Sequence, residues 1–206
     1  MNKKWLIFII LALLAINIYT MIGFRRFKQQ NASEYVNDEL HTLKVNFWTN
    51  IENSNIQLEA TSVKDSSNNV LLLNDIWENG QKQMLVCRFS ESHCESCVDY
   101  SIRQIHHWVD SIGKENLLFL GAYRNNKIFN KTKPLYNIHH LNVYNVSSLN
   151  MPAEELGFPY FFILSSNMTV SNVFVPDKAT PAITQNYLKM INKRYFSEEE
   201  PPLTPP

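Results

Sequence analysis

Two cysteines, in Cys94-Glu95-Ser96-Cys97, are the residues of this chain whose type and spacing could do chemistry. A C-x-x-C pair can cycle between dithiol and disulfide, or hold a soft metal ion. The flanking sequence favours the first. Met84-Leu85-Val86-Cys87-Arg88-Phe89-Ser90 is a short, mostly apolar run of strand formers, so a buried strand precedes the pair. Val98, Ile102, Ile105, Trp108, Val109 and Ile112 then recur at helical steps, with Gly113 as a stop signal. Cys94 therefore falls at a helix N-terminus, where unpaired N–H groups and the helix dipole favour negative charge. Only the thiolate attacks a disulfide, so Cys94 is the candidate nucleophile. Cys97, one turn on, is the candidate resolving thiol. Cys87 sits within the apolar strand and reads as a buried, inert thiol.

The rest of the chain must position that pair. It has 206 residues, of which 45% are hydrophobic, enough for one full core after a membrane segment is set aside. Its 19 basic and 19 acidic residues balance, which removes the electrostatic reason to expect nucleic acid as a partner. Three cysteines do not make a disulfide-stapled secreted scaffold.

Lys3 and Lys4 precede an almost unbroken apolar run, Trp5 to Phe24, interrupted only by Asn17, Thr20 and Gly23. Its length suits a helix that crosses a bilayer. No small-residue cleavage site or lipid-attachment cysteine follows, so residues 1–24 are expected to be an uncleaved signal anchor. Arg25, Arg26 and Lys28 follow the run and nearly balance the charge rule. The very short N-terminal flank points to a single-pass protein with its C-terminal domain extracytoplasmic, periplasmic in a bacterium. Residues 25–54 form a juxtamembrane helical linker, with Tyr35, Val36, Leu40, Leu43, Phe47, Trp48 and Ile51 at helical spacing and expected to pack on the domain.

The domain itself is expected over residues 55–196. Ile56 to Ala60 alternates as a strand, residues 65–69 form a turn, and Val70 to Leu73 is a second strand, giving a β-hairpin. Asn116 to Gly121 is a strand parallel to the first core strand through a right-handed crossover. Residues 123–134 are a short helix or loop, and Leu141 to Val146 an edge strand. Pro159 to Leu164 and Met168 to Val175 pair as a hairpin, and Ala182 to Phe196 closes the domain as a helix. Residues 197–206, with three Glu and four Pro, read as a disordered tail.

From about Ile56 to Phe196 this pattern resembles the thioredoxin superfamily, and within it the membrane-anchored TlpA/ResA-like, redoxin-type thiol-disulfide oxidoreductases. The carriers are the strand Met84–Ser90, the Cys94–Cys97 motif with its helix, and Gly157-Phe158-Pro159 opening a hairpin. The resemblance implies an α/β fold with a central mixed sheet flanked by helices, here with an N-terminal β-hairpin extension and one transmembrane helix. It implies a redox-active Cys94–Cys97 disulfide and no other cofactor or metal. It implies protein thiol or disulfide substrates and a membrane electron donor. It also implies a cis Phe158–Pro159 bond, with His93, Phe158 and Pro159 lining the substrate groove.

Three positions depart from the family. His93 stands where Trp is common, Arg88 where thioredoxin has Asp, and Glu-Ser lies between the cysteines. Acid–base help for Cys97 must then come from elsewhere, with Glu91 and Asp99 as the nearest carboxylates. Glu95 opposes a thiolate at Cys94, and a protonated His93 would favour it. Residues 123–145 are too short for the helical insertion of DsbA-type oxidants, so a reductase direction is expected. A peroxidase would want Thr at position 91. The rival of another class is a thioredoxin-fold copper-binding or metal-delivery module, using Cys94 and Cys97 with one of His93, His106, His107, His139 or His140. A third reading is a degenerate, non-catalytic binding domain.

Overall fold

The computed structural model describes residues 3–77 and 81–197, and between residues 3 and 35 the side chains only of Leu13 and residues 16–23. The elements in order are α1 (Lys3–Asn53), β1 (Ser62–Lys64), β2 (Val70–Leu72), β3 (Gln83–Ser90), α2 (Glu95–His106), α3 (Val109–Ile112), β4 (Leu117–Ala122), α4 (Asn126–Leu135), β5 (Asn142–Asn145), β6 (Tyr160–Ser165), β7 (Val170–Phe174) and α5 (Pro181–Tyr195). They fall into two compact units, residues 1–41 and 42–206. The first is α1 as far as His41. Among the described residues no helix is long and apolar enough to cross a membrane. The expected anchor, Trp5 to Phe24, lies largely outside the described side chains, as does the tail beyond Ser197.

In the second unit seven strands form one mixed sheet in the order β2-β1-β5-β4-β3-β6-β7. β3 is central because both its faces are apolar. Met84 and Val86 point into one core cluster and Leu85, Cys87 and Phe89 into the other. Each such fully buried Leu or Phe stabilises the fold by about 1.5–3 kcal/mol. β3 runs parallel to β4, with Cys87 opposite Phe119, and antiparallel to β6, with Arg88 opposite Tyr160. The parallel pair is the expected crossover through α2. α2, α4 and α5 cover one face, with Ile102, Phe129 and Leu188 among their buried side chains. Gly121 is a packing requirement, because a Cβ there would meet the Phe129 ring at 2.2 Å.

Four local expectations change. The first hairpin strand is Ser62–Lys64, not residues 56–60, which make only the single bridge Gln57 to Thr169. The turn decides this: Asp65 accepts from the backbone and side chain of Asn69, so the strands begin on either side of it. β5 is interior, between β1 and β4, and not an edge. The helix after the cysteines breaks at His107 and Trp108 before α3, and ends at Gly113 with φ 85°.

The fourth change concerns the end of α1. In the second unit its polar side faces the domain: Thr42, Asn46, Thr49 and Asn53 are buried, while Leu43, Phe47, Trp48 and Ile51 are exposed. The reason is that β7 is an edge strand whose outer backbone groups need partners. Asn46 accepts from the Val175 N–H at 2.6 Å and donates to the Val175 carbonyl at 3.1 Å. Asn50 accepts from Val173 N–H and Asn53 from Ala153 N–H. Apolar side chains could not do this. Asn46→Ala strands two buried backbone groups and is expected to cost about 2 kcal/mol in urea unfolding, with exposed Lys44→Ala as the near-neutral control.

Candidate active site

The two sulfurs at the end of β3 are not equivalent. Cys94 is the exposed N-cap of α2, with its carbonyl accepting from Cys97 N–H at 2.9 Å and Val98 N–H at 3.0 Å. Cys97 is partly buried, and both are free thiols. The Cys94 thiol is lowered to about 7 from its ordinary 9.0, first by the Cys97 thiol, then by the Ser96 hydroxyl and the Cys97 backbone N–H. The Cys97 thiol is raised, first by burial and then by Cys94. A thiolate at Cys94 beside a protonated Cys97 is thus the favoured state near neutrality. Cys87 is fully buried and its thiol is pushed far up by desolvation.

Ser96 extends this arrangement. Its Oγ lies 3.2 Å from Cys94 Sγ and accepts from Lys178 Nζ at 2.9 Å. Lys178 comes from the segment between β7 and α5, and its charge favours the thiolate at both cysteines. Ser96→Ala and Lys178→Met are each expected to move the midpoint of the pH–alkylation profile of Cys94 upward from about 7. Alkylation at pH 7 should slow several-fold.

The fold can be compared with known ones at this point. No protein-family model matches the chain, and no curated protein matches its sequence. A thiol:disulfide interchange protein from Bacteroides sp. superposes with a TM-score of 0.51 at 14% identity, covering 71% of this chain and 93% of that one. A thioredoxin-like protein from Porphyromonas gingivalis gives 0.47 at 19% identity, covering 68% and 95%. A peroxidoxin from Mycobacterium tuberculosis gives 0.48 at 8%, covering 69% and 97%. The chain has a thioredoxin-like fold.

In this thioredoxin-like domain Arg88, at the strand position where an acid was expected from the resemblance to thioredoxin, is 3% exposed. Its charge is matched by Glu154, which accepts from Arg88 Nε at 3.0 Å. Arg88 also donates to the carbonyls of Val146 at 2.9 Å and Ser147 at 3.4 Å. Glu154 in turn accepts from Ser148 Oγ and from Leu149 N–H. Its carboxyl is lowered; burial opposes this, and Ser148 and Arg88 outweigh it. His93 lies close enough to feel the pair. Desolvation first, and then Arg88, lowers its imidazole to about 4, and its Nδ1 is buried without a partner among the described residues. His93 is therefore neutral near pH 7 and lends no positive charge to Cys94.

The remaining candidates are spread out. Glu91 accepts from Arg124 N–H at 3.2 Å and pairs with its guanidinium at 3.7 Å, beside the end of β4. Asp99 pairs with Arg103 at 2.8 Å. Lys178 is a charged side chain that acts on both sulfurs. Pro159 is buried and Phe158 is 49% exposed. Tyr160, the next residue, pairs with Arg88, so both lie at the cysteine end of β3. No peptide bond among the described residues is cis, so the Phe158–Pro159 bond is trans, against expectation. Trans is the favoured isomer of X-Pro bonds by about 0.5–1 kcal/mol. Among the described residues no three His, Cys, Asp or Glu side chains gather as a metal ligand set. His106 instead lies 3.0 Å from the Tyr136 carbonyl, and the His139 and His140 rings meet edge-on.

Sequence reasoning missed Lys178, Ser96 and Glu154. Arg88 carried a signal for the last: an arginine in a buried strand requires an acid. Lys178 carried none, because its partner is 82 residues away.

Proposed function

We propose that this chain is a membrane-anchored thiol-disulfide exchange protein that reduces disulfides of protein substrates. The observation that carries the reading is the split between an exposed Cys94 held near 7 and a raised, part-buried Cys97. The Cys94 thiolate attacks one sulfur of a substrate disulfide; that S–S bond breaks and one substrate thiolate leaves. Cys97, on losing its proton, attacks Cys94 Sγ in the mixed disulfide. The Cys94–Cys97 disulfide forms and the second substrate thiolate leaves, so two electrons pass to the substrate. Lys178 favours the thiolate at each step. A membrane dithiol donor then restores the pair.

Phe158 and the backbone before Tyr160 offer the extended surface on which a peptide could lie beside Cys94. The apolar run Trp5 to Phe24 supports an anchor, with the domain on the extracytoplasmic side. The reductase direction is supported by the short path from β4 to β5, which holds only α4. The midpoint potential, read by thiol trapping and mass spectrometry across dithiol buffers, tests the reading. A reversible Cys94–Cys97 disulfide below about −230 mV supports a reductant, and one above about −150 mV an oxidant. If no such disulfide forms at any poise, the exchange reading fails.

A further inference from the structure

We propose that the polar cleft beyond the carboxyl ends of β4 and β5 binds an acidic segment of the protein substrate whose disulfide Cys94 attacks. This rests on the exchange reading above and adds the class of substrate. The cleft holds about 650 Å³, and its walls come from β1 and the turn after it, the loop after β4, the start of α4 and the end of β5. Open α/β sheets bind their ligands at this end of their parallel strands. The walls are tied together. Asn126 and Asn130 of α4 donate to the carbonyls of Asp65 and Ser66 at 2.9 and 2.7 Å, and Lys133 donates to the Ser66 hydroxyl at 2.9 Å. Asn145 accepts from the Tyr123 N–H and donates to the Tyr123 carbonyl, both at 2.9 Å. Buried Arg88 holds the carbonyls of Val146 and Ser147. A site built in advance lowers the ordering cost of binding.

Charge and position select the occupant. Lys64, Arg124 and Lys127 line the cleft, all exposed, and among the described residues no Asp or Glu lines it. Lys64 and Lys127 have no ion-pair partner among the described residues. Two acids beside the cleft are already engaged: Asp65 accepts from Asn69 inside the turn, and Glu91 pairs with Arg124. α4 starts after its Asn125 cap with no acid in its first turn, so its dipole adds to the positive field. Most of the other lining residues are Ser and Asn, whose hydroxyls and amides bond peptide groups in both directions. A nucleotide is served less well, because the Tyr123 ring is engaged with Phe89 and Phe129. Glu91 joins the cleft to the nucleophile: it lies three residues before Cys94 and accepts from the Arg124 N–H. A substrate chain that leaves Cys94 over Glu91 enters the cleft at Arg124.

The test uses the full chain in mild detergent and a fluorescent Glu-rich peptide bearing an intramolecular disulfide, with a Gln-rich counterpart. Anisotropy on the variant with Cys94→Ala and Cys97→Ala reads binding without exchange. The Glu-rich peptide is expected to bind about tenfold more tightly at low salt, with the gap narrowing as salt rises. Lys64→Glu with Lys127→Glu should erase the gap. The same charge change on α5, Lys189→Glu with Lys193→Glu, should keep it. Equal binding of the two peptides, or a preference that survives the change in the cleft, overturns the proposal. So does inorganic phosphate that binds where the peptides do not, which marks a free-anion site. The chain with both cysteines is then given the two peptides as substrates. Faster reduction of the Glu-rich one, lost with Lys64→Glu and Lys127→Glu, supports the subsite. A Glu preference in binding with no reduction of either peptide supports the acidic-peptide cleft and removes the exchange reading alone.

Discussion

The Cys94→Ser variant is expected to lose thiol-disulfide exchange by about a thousandfold or more, the scale seen when an enzyme loses its nucleophile. A serine hydroxyl has no populated anion near neutral pH, whereas the Cys94 thiol is half ionised at about 7. Cys97→Ser is expected to behave differently. Cys94 still attacks, but nothing resolves the product, so a stable mixed disulfide with the substrate accumulates. Mass spectrometry of a stalled adduct reads this directly and would identify the substrate. Equal loss in both variants with no adduct from Cys97→Ser would overturn the assigned order of attack. A Cys94→Ser variant that keeps its rate would remove the nucleophile altogether. Neither substitution should alter the fold, because Cys94 is exposed and Cys97 only partly buried.

Glu154→Ala is expected to have the largest effect on stability. Arg88 is 3% exposed, so removing Glu154 leaves a buried cation without its counter-charge, held by the carbonyls of Val146 and Ser147. Breaking a buried pair on one side costs about 3–5 kcal/mol. Glu154 is 22% exposed, so water reaches its place and the lower end of that range applies. Urea unfolding should lose about 3 kcal/mol. The paired change Arg88→Met with Glu154→Leu should recover most of it, because no charge is then stranded. The same pair sets a pH dependence. Glu154 is lowered in the folded state from an ordinary value of 4.5, so its contribution is complete above that value. It is lost as pH falls through the folded value, and Glu154→Gln should flatten the acid limb of the stability curve. A wild-type acid limb matched by Glu154→Gln would show that other carboxylates carry it.

Much of the domain is legible in the sequence because its strong signals are local. The apolar run of Met84 to Phe89 and the helical repeat of Val98 to Ile105 each need only one element to be read. The Cys94 cap follows from them. What is not legible depends on partners brought together from afar. The end of α1 shows this best. Its apolar stripe satisfies the usual rule for a buried face, yet the edge of β7 demands hydrogen bonds, and the asparagines win the domain side. Arg88 likewise breaks the expected pattern at its own position. Its meaning appears only with Glu154, 66 residues on. Lys178 belongs to a connecting segment with no periodicity at all, and only the folded chain places it beside Ser96.

The third thiol gives the protein a clock of its own. Cys87 lies in the middle of the central strand, with no exposed surface. It can meet a labelling reagent only when β3 leaves both its neighbours, which requires the sheet to open as a whole. Cys94 and Cys97 label on the timescale of the reagent, while Cys87 labels on the timescale of unfolding. With a fast reagent its rate is that of opening, and with a slow one it reports the opening equilibrium. The stability of this domain can therefore be followed in the absence of denaturant, by counting thiols against time.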